Sequence, residues 1–73
     1  MPELARELSH DFKTLELGFL QRLGVASAEK GSRTFTGAIL IELDRRGAND
    51  VISHILSGLS SKERRFYRKT FAV

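Results

Sequence analysis

Six apolar residues, Leu4, Leu8, Phe12, Leu15, Phe19 and Leu23, recur at steps of four, four, three, four and four. That spacing gathers them on one face of an α-helix and scatters them across both faces of a strand. The first third of the chain is therefore expected to be helical. Pro2 suits a first helical position, where a missing N–H leaves no bond unmade. Ser9 and Asp11 are capping residue types, and they mark Ser9–His10 as the place where the helix could break and restart. Gly24 is expected to stop the helix in the left-handed conformation, with Val25 folding back onto Leu20. Residues 26–33, ASAEKGSR, are small and polar and read as a loop, with room for one helical turn.

The next segment, TFTGAILIELDRR over 34–46, carries two periods at once. Phe35, Ile39, Ile41 and Leu43 share odd positions, and Thr34 and Thr36 favour strands. Leu40 breaks the alternation, however, and no second segment offers a strand partner. Phe35, Ile39, Leu43 and Arg46 also form a helical stripe, so the segment is read as a helix capped by Thr34 and ended by Gly47. Asn49 then caps a short amphipathic helix containing Val51, Ile52, Ile55, Leu56 and Leu59. Ser60 and Glu63 match the S-x-x-E capping box, which opens a last helix from about 61 to 71. The expectation is an all-α fold: one domain over residues 1–73, about four helices, with room for a helical homodimer.

Size sets the energetic terms. At 73 residues the chain carries 41% apolar and 29% charged residues and no cysteine. A domain this small buries only roughly 60% of its unfolded surface, and its core supplies about 3–5 kcal/mol. Disulfides and thiolate metal sites are excluded. What remains is close helix packing or an apolar face shared with another chain. Leu17 and Leu20 on the first helix, and Ile39 and Ile41 on the second, spread beyond one face. They are the candidate protein interface, whether with a second copy or a larger partner.

Little in the sequence points to catalysis. His10 and His54 are the only histidines, and neither has a nucleophile and an acid in triad geometry along one helix. Asp50 and His54 share a helix face, but two ligands fall short of a zinc site. The glycines match no phosphate-binding loop, so no cofactor and no small-molecule substrate are expected. No apolar run reaches about 18 residues, which argues against a membrane span. The charge-mixed N-terminus, MPELARELSHD, does not resemble a secretory signal. A cytoplasmic, non-enzymatic protein is the expectation.

Charge is the feature with most content. The net charge of +3 is unevenly spread: residues 1–32 carry four basic and five acidic side chains, residues 33–73 eight and four. On a helical wheel of residues 59–73, Leu59, Phe66, Tyr67, Thr70 and Val73 fall in one sector. Lys62, Arg64, Arg65, Arg68 and Lys69 fall opposite. Five cations on one face form a phosphate-binding surface, and five phosphate contacts imply a log–log salt slope of roughly −4.5 on duplex DNA. Arg45 and Arg46 are candidates for the same surface. A plainer account is a solvated face whose cations favour the negative helix C-terminus. Residues 36–58 also trace a helix–turn–helix outline, yet the second helix carries no Lys or Arg to read bases. The sequence therefore reads as a small regulatory binding protein that meets nucleic acid, or an acidic protein surface, through its last helix. The alternative is an inhibitor or adaptor, antitoxin-like or a phage-encoded antagonist, docking an apolar helical face on a larger protein.

Overall fold

The computed structural model describes residues 2–73 and contains five helices: α1 (Pro2–His10), α2 (Leu17–Glu29), α3 (Arg33–Arg45), α4 (Asn49–Ser57) and α5 (Ser61–Phe71). The fold is all-helical, with five helices rather than four, because the first apolar stripe runs through a break. After His10 the backbone closes a series of three-residue turns, among them Phe12 N–H to the Ser9 carbonyl (3.1 Å) and Leu15 N–H to the Phe12 carbonyl (3.2 Å). These turns keep the right-handed sense of a helix, so Phe12 and Leu15 still face inward although the helix axis changes. Phe12 packs edge-on against Phe35, with ring centroids 5.3 Å apart.

Gly24 does not stop α2. It lies buried within the helix, and a Cβ there would collide with the Ile55 side chain and press on Ile39. Its role is close approach of helices, which needs no left-handed backbone. The helix therefore continues through Ala26–Glu29, residues expected to be loop, and only Lys30–Ser32 connect it to α3. Val25 consequently makes no helix-ending contact with Leu20. Ser27 explains why a polar segment stays helical here. Its hydroxyl donates to the Gly24 carbonyl (3.1 Å), leaving the Thr36 hydroxyl of α3 to donate to Ser27 Oγ (2.6 Å). Buried polar groups satisfied in this way cost little.

Helix α3 is the centre, packing against each of the other four. Thr36, Gly37, Ala38, Ile39, Leu40, Glu42 and Leu43 are all buried on it. A helix covered on most sides needs no polar face, which is why its sequence lacked a clean period. The predicted caps are displaced by one or two residues: Ser32 rather than Thr34 precedes α3, and Ala48 rather than Asn49 precedes α4. The bounds of α5 match the prediction, and Ser60 Oγ accepts the Glu63 N–H at 3.2 Å. Leu20, Ile39, Leu40, Leu43, Ile55, Leu56 and Tyr67 complete the core. One chain thus buries most of the apolar surplus that seemed to demand a second copy. The large hydrophobic residues left exposed are Leu4 (50%), Leu17 (42%) and Phe19 (42%). No described helix is long and apolar enough to cross a membrane.

Candidate nucleic-acid interface

Helix α5 is fixed by its inner side. Tyr67 is buried, its ring stacked with Phe71 (centroids 5.9 Å apart, planes 22° apart) and edge-on to Phe66 (5.2 Å). The Phe71 ring lies directly over Gly37, where any Cβ would strike it. Burial pushes the Tyr67 phenol above its ordinary pKa, against the opposing pull of its hydrogen bond with Thr36. The Ser27–Thr36 hydroxyl pair links α2 to α3, and the Phe71 ring on Gly37 seats α5 against α3.

The cations face the other way, but not all five. Lys62, Arg65, Arg68 and Lys69 are exposed. Arg64 is partly buried and turned back along its own helix, donating to the Leu59 carbonyl and to Ser61 Oγ (3.1 Å). Arg68 remains exposed while donating to the Val73 carbonyl at 3.2 Å. The single acid of α5, Glu63, lies on the inner side of the helix, between Leu59 and Tyr67 on the wheel, and pairs there with Arg33. The guanidinium meets both carboxylate oxygens, at 3.3 Å and 2.6 Å, and lies 4.0 Å over the Phe66 ring. That bidentate pairing holds the Glu63 carboxyl below its ordinary range. It also satisfies the carboxylate that the capping box would have bent back on itself.

Arg45 and Arg46 do not join this surface. They clasp Glu42, which is 1% exposed: Arg45 reaches both its oxygens (2.8 and 2.6 Å) and Arg46 one (2.7 Å). Arg46 Nη2 also donates to the carbonyls of Phe12, Lys13 and Leu15, at 3.0, 3.0 and 2.7 Å. The two arginines, Arg45 first, hold the Glu42 carboxyl down at about 2 despite its burial. Arg46 therefore anchors the α1–α2 turn.

The expected protein interface is likewise dispersed. Leu20 and Ile39 are completely buried and belong to the core. Ile41 is half-buried beside Arg6 and Arg45 in a shallow cleft, and Leu17 is exposed at the start of α2. His54 is exposed and lines a second cleft of about 200 Å³ with Val25, Ile55 and Leu59. No group of three or more His, Asp or Glu that could hold a metal ion occurs among the described residues. Three residues that shape the face were missed from sequence. Phe71 had a signal, since it stands four residues after Tyr67. Arg33 and Gly37 had none, because their partners lie 30 or more residues away. No family model matches the chain, and neither a curated protein nor a solved structure shows significant similarity to it.

Proposed function

We propose that the chain is a non-enzymatic binding protein that grips nucleic acid through phosphate contacts made by Lys62, Arg65, Arg68 and Lys69. The observation that carries this reading is the single sign of the face: four exposed cations share one side of α5 while its one carboxylate lies on the inner side, paired with Arg33. A purely solubilising surface intersperses both signs of charge, whereas a polyanion site concentrates one. Four phosphate contacts rather than five give an expected log–log salt slope of roughly −3.6 on duplex DNA. Docking through the apolar face has less support, because Leu20 and Ile39 are enclosed.

The test is a titration of mixed-sequence nucleic acid at two salt concentrations. Binding should weaken steeply with salt and disappear in a Lys62→Ala/Arg65→Ala/Lys69→Ala variant whose circular dichroism is unchanged. Absence of binding at low salt, or a slope near zero, would overturn it. Capture of an acidic protein by the same three residues would instead place the partner in another class.

A further inference from the structure

Building on the nucleic-acid reading, we infer that the ligand is duplex DNA, with α5 lying in its major groove. Three observations lead there. The first is the angular placing of the cations. At about 100° per residue, Lys62 and Lys69 fall together on one flank, Arg68 falls about 120° away on the other, and Arg65 occupies the crest between them. A flat surface or a single strand would engage the crest alone. Cations on both flanks suit a channel walled by a phosphate strand on either side. A helix with side chains is about 10–12 Å across, and the B-form major groove is about 12 Å wide. The major groove of A-form RNA is too deep and narrow to be read this way. Helix α5 packs chiefly against α3, so its opposite side is free to enter.

The second observation concerns the rings. Single-stranded ligands are held by bases stacking on exposed aromatic faces. On α5, Tyr67 is buried, and Phe66 is covered by Arg33 on one face and abutted by Tyr67 and Phe71. The exposed aromatic residue among the described residues, Phe19, belongs to α2. The face thus lacks a stacking platform.

The third is the choice of donors. Beside its cations the outer face of α5 carries Ser61 and no Asn or Gln, so adenine has no bidentate partner. Arg65, at the crest, is the group that can leave its phosphate for a guanine edge. On a G-containing duplex three phosphate contacts then remain, and the expected log–log salt slope falls to roughly −2.7. The flanking residues contact phosphates, which are the same in every sequence.

Fluorescence anisotropy on equal-length probes tests this: a G-containing duplex DNA, an A·T-only duplex DNA, the matching duplex RNA and single-stranded DNA. Duplex DNA is expected to bind tightest. Arg65→Ala should weaken the G-containing duplex by about fivefold or more and the A·T duplex by much less. Lys62→Ala/Lys69→Ala should weaken both duplexes equally and flatten the salt slope by about 1.8. Equal affinity for duplex RNA or single strands, or an Arg65→Ala loss that is the same on both duplexes, would overturn the groove assignment while leaving phosphate binding intact. No salt-dependent binding to any probe would remove both.

Discussion

Two Arg–Arg pairs, Arg45–Arg46 and Arg64–Arg65, look alike in the sequence and end in different surroundings. The first lies beside Glu42, an acid facing the core of the most enclosed helix, and both arginines pair with it, Arg46 from a largely buried position and Arg45 from an exposed one. The second lies on an edge helix whose only acid is already held by Arg33. There Arg64 folds back onto its own backbone, and Arg65 is left to solvent. The difference lies not in the arginines but in whether a carboxylate competes for them. Where one is buried nearby, the pair becomes part of the frame. Where none is, the charge stays exposed to solvent.

The contrast can be broken at its strongest point first. Arg46→Ala removes an ion-pair partner of Glu42 and the donor to three carbonyls of the α1–α2 turn, from a side chain that is only 20% exposed. A loss of about 2–4 kcal/mol in urea unfolding is expected; a loss no larger than that of an exposed arginine would show that the clasp is incidental. Acid probes the same pair. Because the folded-state pKa of Glu42 lies at about 2, below its ordinary value, its contribution is complete above the ordinary carboxylate range. It fades as pH falls toward 2. The urea midpoint should drop over that window in the wild type and drop less in Glu42→Gln. Arg64→Ala should cost about 1 kcal/mol, the value of one backbone hydrogen bond. Arg65→Ala, smallest of all for stability, should leave the midpoint unchanged while DNA affinity falls.

What could be read from the sequence was local. The bounds of α5 and its Ser60 cap follow from neighbours within four residues, and the sorting of its rings from its cations follows from one period. The α3 segment was ambiguous because a helix covered on most sides loses the polar half of its pattern. Gly24 misled for a related reason: a stop glycine and a contact glycine look the same until Ile55 is seen against it. Arg46 was placed on the binding face because its carbonyl partners lie more than thirty residues earlier in the chain. In the candidate site, four of the five predicted α5 cations are exposed together. The pairing of Glu63 with Arg33 was hidden, since its partner lies 30 residues away and the capping box offered a nearer one.

The ring of Phe71 over the bare backbone of Gly37 works like a key in a slot. Turning α5 by one residue would bring the ring off its seat and expose the buried Tyr67, so the azimuth of the helix is locked from its hidden side. The outward residues can then be exchanged singly without rotating the scaffold that aims them. The side chain at position 65 is open to substitution in a way that position 37 is not.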